Sequence, residues 1–501
     1  MATDPPVTGL RASARAMLHR WWPELLAVLA AAAVYAPAIG FSFVFDDHAL
    51  IGADGWPAWL GGDVPYRPVR WASYRIDGLL GGSPAVYHAH NIAWHALVGA
   101  LTASVARRLG ASAFAAALGS LLLIAHPLAV EAVAYVAGRR DVVAVAMAMI
   151  SLLAWMHGRP IAAAMAMTVA AGAKESALAF LPVLAAASAC ALAPGGVRAA
   201  ATVSAAATLG VSLVAAYGVV GPFAPEPTFA AIAAVGRTLV HYVANLVWPV
   251  ALSPEYPALR SFMIAQTSAA SLVSSVAAAV ALTAAAALAC RACVQATRDR
   301  SSRAAAFCAA WVVTMLAALA IWGSLHEPGA DRHAYLALPA LAVSAAVFLT
   351  RATSRLAYRA GIMPLPAAAA TAIACVLIPV LTAATRTAML PWKDDRALWR
   401  HAVTVAPSSP RARHNLAALL ADQGEYALAQ RQLAYALRAD PRYVPAHLGK
   451  AAIRCARGRP AAARIDLLRA LELGAPAADV GAIAGRCSLV EFAGLASANA
   501  E

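Results

Sequence analysis

The sequence predicts an all-α protein: a polytopic membrane helical bundle of about 11 spans, followed by a short α-solenoid. Three observations carry this reading. First, 61% of the 501 residues are hydrophobic and only 13% are charged, where a soluble domain carries about a quarter charged. Second, the apolar residues fall in blocks, such as Leu25 to Ile39, Ala199 to Val220, Ala269 to Cys290 and Ala367 to Ala384. Each block approaches the ~20 residues that cross a hydrocarbon core. Third, beyond Pro391 the chain turns polar and its landmarks recur every 34 residues.

Taken in order, the spans are expected at 24–40, 89–106, 111–125, 142–156, 160–173, 176–193, 199–220, 268–290, 304–324, 334–350 and 365–386. Arg11, Arg15 and Arg20 precede the first, and no small-residue cleavage site follows it, so it reads as a permanent span. With the N-terminus cytoplasmic, Arg107 and Arg108, Arg159, Arg198, the run Arg291 to Arg303, and Arg351 to Arg359 all fall on the inner side. This distribution absorbs the net charge of +14 and removes the case for a nucleic-acid partner. An odd number of spans leaves the C-terminal region outside. Segment 229–250 carries Arg237, His241 and Asn245 on one helical face and reads as an interfacial or re-entrant helix. The implied organisation is a cytoplasmic tail over 1–23, a transmembrane domain over 24–390 with outer loops at 41–88, 126–141 and 221–267, repeats over 391–475, and a tail over 476–501.

In the C-terminal region Pro407 and Pro441, Gly424 and Gly458, Ala429 and Ala463, and the series Ala402, Ala436 and Ala470 are each 34 residues apart. That is the tetratricopeptide period, here one partial and two full repeats. Such an array binds protein on its concave face, or packs against its own membrane domain. Cys290-x-x-Cys293 lacks a second ligand pair, so no zinc site is expected. Cys455 and Cys487 pair if this region faces an oxidising space; two free thiols are the equal alternative.

The exceptions to the charge rule lie on the outer side: Asp46, Asp47, Arg67, Glu131, Arg139, Asp141, Lys174, Glu175, Asp331 and Arg332 among them. Ionisable residues near membrane depth default to function, although some, Arg140 included, can simply snorkel to the interface. Adjacent carboxylates such as Asp46 and Asp47 suit a general base or a helix cap. Were loop two helical, Glu131, Tyr135 and Arg139 would share one face. A carboxylate beside a guanidinium suits a phosphate-bearing ligand, or pairs with neighbouring loops.

The motifs Phe45-Asp46-Asp47-His48, Tyr66-Arg67-Pro68, His88 to His95 and His126-Pro127 through Glu131 to Gly138-Arg139 and Asp141 resemble the transmembrane and tetratricopeptide repeat O-mannosyltransferases. Lys174-Glu175, Asn245 to Pro249 and Asp331-Arg332 to Pro339 extend the resemblance. It implies a GT-C membrane glycosyltransferase that takes mannose from a polyprenyl-phosphate carrier on the outer face and delivers it to a hydroxyl, such as a protein Ser or Thr. It implies Asp46 or Asp47 as base, Glu131 as a sugar or acceptor contact, and Arg332, Arg139 and Lys174 on the lipid phosphate. His126 is implied as a sugar contact, with Arg67, Asp141 and Glu175 completing the substrate-binding set. A divalent metal is compatible with this chemistry but not implied, since basic residues can neutralise a monophosphate. The partners implied are the lipid-linked sugar, an acceptor protein or glycan held by the repeats, and the membrane. Asp331 stands where the family commonly has Glu, and the repeat region is short for the family. The Ala- and Arg-rich composition points to a bacterial inner membrane with periplasmic repeats. The competing readings are a membrane-anchored repeat scaffold without catalysis and a transporter.

Overall fold

The computed structural model describes residues 7–51, 67–193, 229–250, 252–256, 299–325, 329–360, 365–489 and 492. The described residues form helices and their connections, with no strand among them. The chain divides into two compact units, one of residues 1–252 and 259–392, the other of 253–258 and 393–501.

The first unit opens with α1 (Val7–Tyr35), which a 3-10 turn at Ala36–Gly40 ends. Next come α2 (Asp47–Leu50), α3 (Pro68–Leu79), α4 (Pro84–Arg108), α5 (Ala113–Ala125), α6 (Val130–Ala134), α7 (Arg139–Met156), α8 (Pro160–Ala173) and α9 (Phe180–Ala189). The described remainder is α10 (Phe229–Val247), α11 (Arg300–Leu325), α12 (Leu338–Ala360) and α13 (Leu365–Met389). Sequence signals explain the boundaries. Pro68, Pro84 and Pro160 stand at first-turn positions, where the missing N–H costs nothing. Ser112 caps α5 by accepting from Ala115 N at 3.2 Å. Small residues set the packing: a Cβ on Gly119 would lie 2.6 Å from the carbonyl oxygen of Ala342, so α5 and α12 meet backbone to backbone.

Among the described residues three helices are long and apolar enough to cross a membrane: Arg20–Gly40, Arg300–Ala320 and Thr371–Lys393. The pair Ala113–Ala125 and Pro127–Ala134 would make a fourth as one span broken by 58°. In the last of the three, Ile373, Val376 and Val380 stay exposed, an apolar face suited to lipid. Among the described residues, helix length alone thus identifies three or four of the about 11 expected spans. Helices α5, α7 and α8 are only 13, 18 and 14 residues long. The spans expected at 199–220 and 268–290 lie outside the described residues. Loop two departs from expectation. Tyr135 is extended (ψ 124°) between α6 and a 3-10 turn, so Glu131, Tyr135 and Arg139 share no helical face.

The second unit runs α14 (Asp395–Val405), α15 (Pro410–Asp422), α16 (Tyr426–Ala439), α17 (Val444–Ala456), α18 (Pro460–Glu472) and α19 (Ala477–Arg486). Asp394 and Ser409 cap α14 and α15. Gly424 and Gly458 take the positive φ that ends one helix and admits the next. The residues of the 34-residue series are the core: Ala402, Ala436, Ala470, Ala429 and Ala463 have no exposed surface. Cys455 and Cys487 form a disulfide with Cα atoms 5.0 Å apart. Glu255 belongs to this unit, where it accepts from the Ser409 hydroxyl at 3.2 Å and pairs with Arg411.

Candidate functional site

The site grows from the connections at the ends of helices. Loop one turns sharply at Phe45, whose φ of 53° is left-handed. A bulky residue there is strained, and such strain concentrates where geometry serves function. Phe45 stacks on Tyr135, ring centres 6.4 Å apart, and Tyr135 in turn lies 5.0 Å from the Trp392 ring.

The two aspartates that follow have different environments. Asp47 is fully buried, and each of its oxygens is held by a backbone N–H: Val44 at 3.1 Å and Ala137 at 2.8 Å. Burial pushes its carboxyl up to about 7, against the pull of those two hydrogen bonds. Asp46 is half-buried, begins α2 and makes no side-chain capping bond. It acts electrostatically on both Tyr135 and Arg140.

Around this pair lie ion pairs whose two partners are both buried. Glu131 accepts from the Arg332 backbone N at 2.9 Å and pairs with its guanidinium, which joins loop two to the 3-10 turn at Asp331–Leu336. Asp331 accepts from Asn245 at 3.4 Å. Arg67 grips Glu175 with two bonds of 3.0 and 2.9 Å. Lys174 meets Asp141 at 2.5 Å, and the Arg140 Nε lies 3.7 Å from the other Asp141 oxygen.

Arg139 takes a different place from the one its motif suggested. It has no exposed surface, pairs with Asp77, and donates to Asn91 Oδ1 at 2.7 Å and to the Tyr87 carbonyl at 2.7 Å. Its guanidinium also lies over the Tyr74 and Tyr87 rings. Arg139 thus braces α3, α4 and loop two from inside and offers no surface to a ligand. His126 is also occupied: Nδ1 accepts from Leu128 N at 3.2 Å, so Nε2 carries the proton and donates to the Leu246 carbonyl at 3.1 Å.

Sequence reasoning set Arg140 aside as a snorkelling residue, yet its side chain is 11% exposed beside Asp141. It held Asn91 only as part of the run His88 to His95 and passed over Asp77 and Tyr74 altogether. The available signal for Asn91 was a polar stripe, His88, Asn91 and His95, along one face of the mostly apolar α4. Arg237, named above, has a side chain outside the described residues. Among the described residues no three His, Cys, Asp or Glu side chains converge on a metal position.

No family model matches the chain. It is similar to the protein O-mannosyl-transferase Tmtc2 of Drosophila melanogaster, 30% identical over 145 residues, which is 25% of this chain and 16% of the fly protein. It is 29% identical over 153 residues to the corresponding proteins of Xenopus laevis and Homo sapiens, 26% of this chain and 18% of each relative. The similarity spans less than a fifth of the length of these curated relatives.

Proposed function

We propose that the chain is a membrane glycosyltransferase of GT-C type that moves mannose from a polyprenyl-phosphate carrier to a hydroxyl, such as a Ser or Thr side chain, on the outer face of a bacterial inner membrane. The observation that carries this reading is the half-exposed Asp46 carboxylate. It stands on a strained turn whose next residue, Asp47, is locked by two backbone bonds. The similarity to named O-mannosyl-transferases supports the reaction class.

In this mechanism the Asp46 carboxylate takes the acceptor hydroxyl's proton. The oxygen bonds to the anomeric carbon as the bond from that carbon to the phosphate oxygen breaks. The electron pair leaves on the polyprenyl phosphate. Lys174, Arg332 and Arg140 supply positive charge for that leaving group. Arg139 is reassigned from phosphate contact to internal brace, because it has no exposed atom. Asp47 orients Asp46 rather than acting as base, because both its oxygens are engaged. Glu131, Asp141, Glu175 and Arg67 hold the cations and loops in place. His126, with both ring nitrogens engaged, shapes the wall instead of contacting sugar.

The second unit is read as tetratricopeptide repeats that hold the acceptor. A cavity of about 660 Å³ within it is lined by His414, Asp422, Tyr426, Asp479 and Arg486 over a floor of alanines. The test is incorporation of labelled mannose from mannosyl-phosphopolyprenol into protein in membranes that express the chain. Wild type incorporates label and Asp46→Asn does not. Equal incorporation by both would overturn the proposal. Removal of residues after Pro391 should change which acceptors are labelled and leave donor hydrolysis intact.

A further inference from the structure

We infer that Tyr74 and Asn91 are positioning residues that set the candidate base through a single peptide unit. The inference rests on the glycosyltransferase reading above. That unit is the bond between Val136 and Ala137. Its N–H donates to Asp47 Oδ1 at 2.8 Å. Its carbonyl accepts from the Tyr74 hydroxyl at 3.1 Å, with Asn91 Nδ2 at 3.5 Å. A peptide unit is planar, so fixing the carbonyl fixes the direction of the N–H on its other edge. Donors on the carbonyl also polarise the N–H and strengthen its bond to Asp47.

The rest of the geometry leaves this unit little freedom. Asn91 donates to the carbonyls of Val133 at 3.1 Å and Tyr135 at 3.0 Å, one on each side of the bend in loop two. Its own oxygen accepts from Arg139 at 2.7 Å, so the amide is used on both sides and its orientation is set. Gly138 completes the constraint: a Cβ there would lie 2.6 Å from the Glu131 carbonyl oxygen and 2.7 Å from that of Ala132. Tyr74 and Asn91 have no exposed surface, so neither can reach substrate. They act at a distance: α3 and α4 fix loop two, loop two fixes Asp47, and Asp47 carries Asp46 as its chain neighbour.

The cleanest variant is Tyr74→Phe, which removes one hydroxyl and keeps the ring under Arg139. It should lower turnover in the mannose-transfer assay by about tenfold, the scale of losing the shorter of the two hydrogen bonds on a buried carbonyl, with the KM for mannosyl-phosphopolyprenol unchanged. In an Asp47→Ala background, which leaves no side-chain acceptor for the Ala137 N–H, the same change should add less than about twofold, because the path it acts through is already cut. Asn91→Asp keeps the acceptor for Arg139, turns the donors into an oxygen that faces three carbonyls, and should act in the same direction more strongly. Equal losses from Tyr74→Phe in both backgrounds, or no loss in either, would overturn the inference. Amide hydrogen exchange gives a readout free of activity. Tyr74→Phe should speed exchange in 130–139 and also in 41–51, where the Val44 N–H is held by Asp47. Faster exchange confined to 130–139 would overturn the coupling. A wild type that transfers no label would end the glycosyltransferase reading, while the exchange result would still decide the coupling.

Discussion

Around loops one and two of the first unit lie ion pairs with both partners withdrawn from water, although Arg107, which pairs with Glu24 elsewhere in that unit, is 29% exposed. The side chains of Arg332 and Glu131 are 5% and 4% exposed, and those of Arg139 and Asp77 are not exposed at all. The second unit also buries carboxylates, Glu255 and Asp466, but their partners reach solvent: Arg411 at 22%, Lys450 at 30% and Arg454 at 28%. The difference separates two uses of charge. A pair buried on both sides loses so much hydration that an apolar pair of the same volume often serves stability as well or better. The second unit rests instead on alanine and leucine packing, with Leu433, Leu467 and Val480 in its core. Among the described residues only the first unit combines ion pairs buried on both sides with a strained turn at Phe45 and the half-buried Asp46 carboxylate, so the proposed chemistry is placed there.

The largest expected effect tests this contrast directly. Arg332→Ala leaves Glu131 buried and unpaired, and should cost about 3–5 kcal/mol. Arg396→Ala, which breaks a pair that is 39% and 36% exposed, should cost at most about 1 kcal/mol. Thermal midpoints of the detergent-solubilised variants read both; equal shifts would erase the distinction.

Reduction of Cys455–Cys487 comes next. The bond closes a 32-residue separation across α18 and α19, and its loss should cost the second unit about 2–4 kcal/mol. Limited proteolysis before and after reductant checks this, with cleavage expected around α19 and not in the first unit.

Gly138→Ala should cost about 1–3 kcal/mol, since the new methyl meets two backbone carbonyls that cannot swing aside. Gly424→Ala in the second unit meets no atom within 4 Å, and strains only its φ of 77°. The comparison of their melting points separates a crowded backbone from an open turn.

The smallest effect is a pH dependence. The Asp47 carboxyl titrates near 7 when folded and near 3.8 otherwise. Between those values the folded state holds the extra proton. This contribution to stability is therefore complete below about 3.8 and is lost as the pH rises through about 7. Asp47→Asn should flatten the melting-temperature profile over that window; an unchanged slope would assign it to other groups.

Much of the site was legible as residue type but not as geometry. The outer charges stood out because apolar blocks surround them. Their partners did not, since Glu131–Arg332 spans 201 positions and Arg67–Glu175 spans 108. Helical spacing misplaced Arg139, because the extended Tyr135 breaks the register that would have set it beside Glu131. Tyr74 and Asn91 left only a faint signal, as neutral polar residues among apolar ones are common in helices that pack through small residues. The 34-residue series was easier to read, because its alanines, Ala402, Ala436 and Ala470 with Ala429 and Ala463, are each buried and need no distant partner to be seen. The number of spans is harder to read than their existence, since apolar content sets which residues avoid water but not how long a helix runs before a break such as Lys174 or His126.

The central claim is the division of labour between two adjacent aspartates, and single-turnover transfer of mannose by purified Asp46→Asn and Asp47→Asn, with their melting temperatures, tests it most directly. The account predicts that Asp46→Asn keeps the wild-type melting temperature and loses transfer. It predicts that Asp47→Asn retains measurable transfer at a reduced rate and changes the melting temperature. Full transfer by Asp46→Asn, with transfer lost only in a well-folded Asp47→Asn, would contradict it and make the buried carboxylate the base.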